Sequence, residues 1–438
     1  MKYPFKVIKK DNELKAIPQN TKEVSTIMKF CNKKKINIIP LGGETNRVEG
    51  TKGQSKSLNM FIDFKEMNKI EEIDRENMIV TAQAGTKLKK IQNESSKKGL
   101  IFPVNIAPSE KCTIGGNVST NVGGLQTLKY GNIEDHINGL EVVLSDGTII
   151  DFLSKLKKDN FGPKLWKIFC GSEGIFGIIT KANLKVIPKK KYRTTYLIKV
   201  HSLKKSVRLL KNLRGKFYDN LTSFEIIFPI PSNYLFDQTD DDYNLIIEIQ
   251  SNYEHNYKKE LLSSININYF KINKIEENIS NSWIWKKREE LVYNQSKYNF
   301  QEKFDISLPL DKWTVFINKI EIFTKNNKSF TPYFFGHLGD GNLHCNFKIE
   351  PNTKKNNLML SKFVYQLVIQ NHGSIAAQGY SGHGLAITTM VGKMLAYEIT
   401  NQNNNLSLFE KFKHKNFPGF GVMTLITHWR PQVGNQEE

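Results

Sequence analysis

Two histidines stand seven positions apart in the run His337-Leu338-Gly339-Asp340-Gly341-Asn342-Leu343-His344-Cys345-Asn346. Apolar strands flank a Gly-Asp-Gly-Asn turn, and a tight hairpin would bring both imidazoles to one side of a sheet. Two imidazoles on one face can hold a divalent metal such as zinc, iron or nickel. The same residues also suit a surface hairpin that carries two unrelated histidines. Two cations stand upstream, Arg288 in Trp285-Lys286-Lys287-Arg288-Glu289 and Lys303 in Lys303-Phe304-Asp305-Ile306-Ser307-Leu308-Pro309. A guanidinium fork grips a carboxylate bidentately, and a lysine adds a point charge. In a chain with 63 Lys+Arg, a single cation is more often a solvated surface residue.

Three glycine-rich stretches are the other chemical signal. Pro40-Leu41-Gly42-Gly43-Glu44-Thr45-Asn46 ends a strand in paired glycines and small polar residues, a turn whose N–H groups can form an anion nest. Ile114-Gly115-Gly116-Asn117-Val118-Ser119-Thr120-Asn121-Val122-Gly123-Gly124 repeats a Gly-Gly pair eight residues on. Such a stretch reads as unable to fill a core. Its glycines let backbone approach a ligand, and its short side chains donate to phosphate and ring edges. A tight loop region is the plainer reading. Gly171-Ser172-Glu173-Gly174-Ile175-Phe176-Gly177-Ile178-Ile179-Thr180 runs into a strand. The nicotinamide fingerprint follows a strand and opens a helix, so this stretch speaks against a Rossmann domain.

The elements that must position these groups follow from periodicity. Residues 21–35 carry Val24, Ile27, Met28 and Cys31 at helical spacing behind a cap at Asn20 or Thr21. Residues 36–40, 60–64 and 78–84 read as strands, and 86–98 as a helix stopped by Gly99. Residues 139–153 read as a hairpin around Asp146-Gly147. The charge run at 185–193 reads as a boundary. Beyond it strands alternate with helices near 202–214, 253–264, 281–292 and 309–326, and a hairpin spans 330–348. That pattern fits an antiparallel sheet with helices on one face.

At 438 residues the chain has room for two or three domains. The net charge of +20 would steer anionic substrates inward, although scattered lysines without an arginine-rich block also fit a compositional bias. No nucleic-acid partner is expected. Cys31, Cys112, Cys170 and Cys345 form no CxxC spacing, which excludes a disulfide framework and an iron–sulfur cluster. The start, MKYPFKVIKK, has no apolar signal core, and no apolar run is long enough for a transmembrane segment. A cytoplasmic protein is the expectation.

The stretches IGGNVSTNVGGLQTLKYGN (114–132), GLEVVLSDGTIIDFLSKLKKDN (139–160) and GSEGIFGIIT (171–180) together resemble the vanillyl-alcohol-oxidase/PCMH flavoprotein family. The similarity is to its D-2-hydroxyglutarate dehydrogenase and D-lactate/glycolate dehydrogenase branch. It runs from Pro103 to Thr180 and more loosely to about residue 378. The resemblance implies an α+β fold. A PCMH-type FAD-binding domain of two α/β subdomains would cover 1–190. A cap domain with an antiparallel sheet would cover 191–375, and a divergent segment 376–438. Gly42, Gly43, Glu44, Thr45 and Asn46 would hold the FAD pyrophosphate with Gly115, Gly116, Asn117, Ser119, Thr120 and Asn121. Ser109, Thr113 and Gly123 would complete the cofactor contacts, and Glu173, Gly174 and Ile178 would lie along the flavin. FAD is expected to be non-covalent, since the first loop has no histidine and Cys112 reads as a packed thiol.

The resemblance also implies roles for the polar groups. His337 and His344 become ligands of a divalent metal such as zinc, Arg288 and Lys303 carboxylate binders, and Asn346 a substrate contact. The substrate would be a small anionic D-2-hydroxy acid, most simply D-2-hydroxyglutarate, with D-lactate or glycolate as the alternative. Electrons would leave to an acceptor such as an electron-transfer flavoprotein or a quinone. The chain departs from the family at Asn46, where a glycine is usual, and again after Ala377. There an ungapped reading puts Gln378 at the family's glutamate ligand and Gly379 at its catalytic histidine. A gapped reading makes His383 the base that takes the hydroxyl proton, without restoring the glutamate. A catalytically impaired flavin-binding homologue therefore stands as a further reading.

Overall fold

The computed structural model describes residues 3–10, 13–45, 58–236, 241–254, 257–264, 270–277, 283–293 and 300–375. Asn46, Gln378, Gly379 and His383 lie outside the described residues. The chain packs as two compact units. One holds residues up to 297 together with 334–342; the other holds 298–333 and the residues from 343 on.

The first unit opens with β1 (Val7–Lys10), β2 (Glu13–Ala16), α1 (Thr21–Lys34), β3 (Asn37–Leu41) and β4 (Asn59–Asp63), in the sheet order β1-β2-β4-β3. β4 runs parallel to both β2 and β3. α1 begins where Asn20 accepts from the Glu23 N–H at 3.0 Å and ends at Lys35 in the left-handed region, φ 54°. Its predicted stripe of Val24, Ile27, Met28 and Cys31 is buried against Leu14, Met60 and Ile62. Burial pushes the Cys31 thiol up to about 12.

The same unit continues with β5 (Ile70–Asp74), β6 (Ile79–Gln83), α2 (Leu88–Lys97), β7 (Leu100–Ile101), α3 (Ile114–Ser119) and α4 (Thr127–Tyr130). Then come β8 (Ile137–Val143), β9 (Ile149–Asp151), β10 (Ile178–Lys185) and β11 (Ile187–Pro188). The sheet β5-β6-β10-β8-β9 is antiparallel throughout. Asp146-Gly147 makes the predicted turn between β8 and β9: Asp146 accepts from the Thr148 N–H at 2.8 Å, and Gly147 has φ 83°. One expectation fails here. The stretch 114–124 is not a loop excluded from the core; its first part is the helix α3, with Ile114 and Val118 fully buried. The helix sits so low because Gly115 lies on Ala84, where a Cβ would come within 2.8 Å of the alanine methyl.

The unit then adds β12 (Tyr192–Val200), α5 (Leu203–Lys216), β13 (Leu221–Ile227), α6 (Pro229–Phe236), β14 (Tyr243–Ser251), α7 (Tyr257–Ser264), β15 (Phe270–Glu277) and α8 (Trp283–Tyr293). The strands order β15-β12-β14-β13 and pair antiparallel, as the alternating pattern predicts.

The second unit contains β16 (Glu302–Ser307) and α9 (Trp313–Asn326). α9 starts later than predicted because Pro309 leads into a short 3-10 turn at Leu310–Lys312. Of β17 (Phe330–His337), residues from 334 on belong to the first unit, where Ile226 and Ile227 pair with Gly336 and Phe335. β18 (Asn342–Ile349) belongs to the second unit from Leu343 on, followed by α10 (Lys354–Gln370) and β19 (Ser374–Ile375), which pairs with β16. α10 was not anticipated. Leu360, Val364, Leu367 and Val368 give it a buried stripe at helical spacing.

Candidate active site

The three glycine-rich stretches meet inside the first unit. β3 delivers Gly42-Gly43 onto the backbone of Lys111–Thr113. A Cβ on Gly42 would stand 2.6 Å from Thr113 Oγ1, and one on Gly43 would stand 2.1 Å from the Lys111 carbonyl oxygen. Thr113 caps α3 by accepting from the Gly116 N–H at 3.4 Å. The third stretch is tied to the far end of α3: the Gly171 N–H donates to Val118 O at 3.0 Å, and the Glu173 N–H to Ser119 O at 2.8 Å. Gly174, at φ 84°, then packs on Pro40 of β3. Contacts between stretches far apart in sequence thus fix one cradle.

The cradle suits a dinucleotide. Its glycines remove side chains where the stretches are closest, and Gly42, Thr120 and Gly123 are exposed. Glu44, Asn121 and Glu173 hold positive φ of 50°, 46° and 50°. That geometry disfavours L residues, and it concentrates at ligand-binding sites. Burial raises the Glu173 carboxyl above its ordinary range. Asn121 is locked by Glu134, which it contacts at 3.0 Å through Nδ2. Ser109 contributes its carbonyl to Lys89 of α2. Ser119 uses its carbonyl likewise for Glu173, and Thr45 is half-buried at the rim. Asn117 is buried and its Nδ2 contacts Cys112 Sγ at 3.5 Å. Burial raises the Cys112 thiol, so this cysteine is a packed group. Ile178 is 3% exposed and packs with Ile62, Ala84 and Val143, so its side chain belongs to the core.

A second polar cluster lies in the cap part of the same unit. Glu225 on β13 is 1% exposed and has both oxygens engaged. Oε2 accepts from Arg288 Nε at 2.8 Å and forms an ion pair with Nη2 at 2.8 Å, and Oε1 contacts His337 Nδ1 at 2.6 Å. Arg288 comes from α8, is 2% exposed, and lies 4.8 Å over the Phe335 ring. Burial alone would raise the Glu225 carboxyl, but His337 and Arg288 hold it below its ordinary value. Burial alone would lower His337, but the Glu225 carboxylate outweighs that and raises it. Arg288 therefore spends the Nε edge of its fork inside the protein. Glu225 was not singled out in the sequence. Its only local signal is one acid within the apolar strand Leu221–Ile227.

His337 ends β17 at a tight turn: the Gly341 N–H donates to His337 O at 3.0 Å, and Asp340 accepts from the Asn342 N–H at 3.0 Å. The other predicted residues belong to the second unit. His344 has Nδ1 3.7 Å from Asp305 Oδ2. Lys303 is on the exposed side of β16. Asn346 is 3% exposed and its Nδ2 has no hydrogen-bond partner. A buried amide N–H without an acceptor is costly, so a bound carboxylate or hydroxyl would satisfy it. Among the described residues no three His, Cys, Asp or Glu side chains group as a metal site.

Comparison with known proteins shows the family. Residues 13–153 match the FAD binding domain family, and residues 190–385 match the C-terminal domain of FAD linked oxidases. A protein of Oryza sativa subsp. indica, named for mitochondrial D-2-hydroxyglutarate dehydrogenase, is 31% identical over 86% of this chain and 69% of its own. A mitochondrial D-2-hydroxyglutarate dehydrogenase of Arabidopsis thaliana is 29% identical over the same shares. A Schizosaccharomyces pombe protein named for D-lactate dehydrogenase is 31% identical over 84% of this chain and 74% of its own. In fold, the chain is similar to alkyldihydroxyacetonephosphate synthase, with a TM-score of 0.67, 19% identity, and coverage of 86% of this chain and 74% of that one. The chain belongs to the FAD-linked oxidase family, in the branch of its D-2-hydroxyglutarate and D-lactate dehydrogenase relatives, and is an FAD-dependent oxidoreductase.

Proposed function

We propose that this enzyme oxidises D-2-hydroxyglutarate to 2-oxoglutarate. The observation that carries the substrate is the similarity, over 86% of the chain, to relatives named for that reaction. FAD, when bound in the glycine-rich cradle, would supply the hydride-accepting chemistry of the reaction. The chain's own residues do the rest. Arg288 and Lys303 supply positive charge for the two carboxylates, and the buried Asn346 amide donates a hydrogen bond to the substrate. His337 donates from Nδ1 to Glu225, which puts the lone pair of the neutral ring on Nε2.

A divalent metal such as zinc belongs to the same reading, with His337 and His344 as its imidazole ligands. Each histidine has a carboxylate beside Nδ1, Glu225 and Asp305 respectively. That is the usual backing of a metal-ligating imidazole. The metal would polarise the substrate hydroxyl. His383 as proton acceptor rests on the sequence alone. Electrons pass on to a separate acceptor such as an electron-transfer flavoprotein or a quinone. No described helix is long and apolar enough to cross a membrane, and a cytoplasmic location remains part of the reading.

The test is the visible spectrum of the purified protein, followed by anaerobic addition of D-2-hydroxyglutarate, D-lactate and glycolate. Bleaching of the flavin by D-2-hydroxyglutarate first supports the reading. Preferential bleaching by D-lactate moves the chain to the reaction named for its fission-yeast relative. Bound flavin that none of the three reduces overturns the dehydrogenase reading and favours the impaired homologue, which the replacement at Gln378 and Gly379 would explain.

A further inference from the structure

We infer that Glu225 is the positioning residue of the substrate site, fixing through one carboxylate both the tautomer of His337 and the edge that Arg288 presents. The inference rests on the dehydrogenase reading above for what those two groups do. It rests on geometry for how they are held. Three elements that are distant in sequence converge on this side chain: β13 supplies Glu225, α8 supplies Arg288 63 residues later, and β17 supplies His337 112 residues later.

An ionised carboxylate only accepts hydrogen bonds. With Oε1 2.6 Å from His337 Nδ1, the proton of a neutral imidazole must sit on Nδ1 and the lone pair on Nε2. His337 is thereby set to act as a ligand or acceptor through Nε2. The other oxygen takes Nε and Nη2 of Arg288, so the guanidinium cannot rotate to offer that edge elsewhere. The Phe335 ring under Cζ closes the remaining freedom. A carboxylate 1% exposed is tolerable only because both oxygens are matched.

The substitution Glu225→Gln separates positioning from packing. It is isosteric, but its amide can accept from Arg288 while donating to His337 Nδ1. That pairing inverts the tautomer and puts the proton on Nε2. Glu225→Asp keeps the acceptor-only carboxylate, one methylene short.

The measurements are flavin per chain, melting temperature, the limiting rate of anaerobic flavin reduction by D-2-hydroxyglutarate, and the zinc dissociation constant against a competing chelator. Glu225→Gln is expected to keep its flavin while zinc affinity and reduction rate each fall roughly 10–100-fold. Glu225→Asp should recover part of both. Zinc affinity and reduction rate of Glu225→Gln within about twofold of the native enzyme would overturn the inference, as would a native enzyme that takes up no zinc. Should Glu225→Gln fail to retain flavin, Glu225→Asp decides: native values for both measurements overturn the inference, and a loss in both supports it. If no hydroxy acid reduces the native flavin, the dehydrogenase reading falls by itself, and the ratio of zinc affinities still judges Glu225.

Discussion

Gly174 lies against the ring of Pro40: at φ 84°, a Cβ on Gly174 would stand 2.9 Å from Pro40 Cγ. Pro40 is in β3, the strand that feeds Gly42-Gly43, and Glu173 is tied to the end of α3. The contact therefore locks the first and third glycine-rich stretches to each other and to the second. Gly174→Ala should lose about 1–2 kcal/mol through the left-handed backbone alone. It should also push the third stretch off Pro40. The expected outcome is a folded protein with a reduced flavin-to-protein ratio, read from the visible spectrum. Gly99→Ala is the control. Gly99 has φ 72° with nothing within 4 Å, so it carries the backbone strain without the clash and should keep its flavin.

Arg288 gives the second prediction. Removing the cation by Arg288→Met leaves the buried Glu225 half-paired and should cost about 3–5 kcal/mol, measured by denaturant unfolding. Arg288→Lys keeps a charge near Glu225 but has no second edge for a substrate. The loss of one charge-assisted hydrogen bond, about 1.5–3 kcal/mol, corresponds to a rise of one to two orders of magnitude in KM for the hydroxy acid. An unchanged KM in a folded Arg288→Lys enzyme would remove Arg288 from the substrate site.

What could be seen in the sequence follows from how local each determinant is. The Asp146-Gly147 hairpin and the stripe of α1 depend on neighbours within a turn or two, and both form as expected. The three glycine-rich stretches were legible as ligand-binding chemistry because glycine and short polar residues at such density have few other uses. The burial of α3 was not legible, since it depends on Gly115 meeting Ala84, just past β6 and thirty-one positions earlier. Glu225 was the least visible. A glutamate between Phe224 and Ile226 has no local partner, and both of its actual partners are brought by other elements. The motif around Arg288 pointed to a carboxylate binder but could not say that the carboxylate it holds in the folded protein is Glu225.

Glu302 should govern part of the pH dependence of stability. Burial on β16 pushes its carboxyl from 4.5 up to about 7. The folded state then keeps a proton that the unfolded chain releases above about 4.5, so this group's contribution is fully present below that pH. It is lost as pH rises through about 7. Glu302→Gln, which cannot ionise, should flatten melting temperature against pH in that window and melt higher than the native protein at its upper end. A native-like slope would mean that Glu302 is solvated in solution.

Asn346 sets stability against activity. Its amide nitrogen is buried without an acceptor, a debit of about 1–3 kcal/mol in the ligand-free protein. Asn346→Ala removes that unsatisfied group and leaves a small cavity, so the two effects oppose each other and the melting temperature should stay within a few degrees of native. The substrate complex has no such compensation, because there the nitrogen gains its acceptor. KM for D-2-hydroxyglutarate should therefore rise roughly tenfold, the equivalent of about 1.4 kcal/mol, while flavin content stays native. Adding 2-oxoglutarate should raise the melting temperature of the native enzyme more than that of Asn346→Ala, because a ligand stabilises in proportion to its affinity for the folded state. Equal shifts would show that this amide does not meet the bound acid and that its missing acceptor is water.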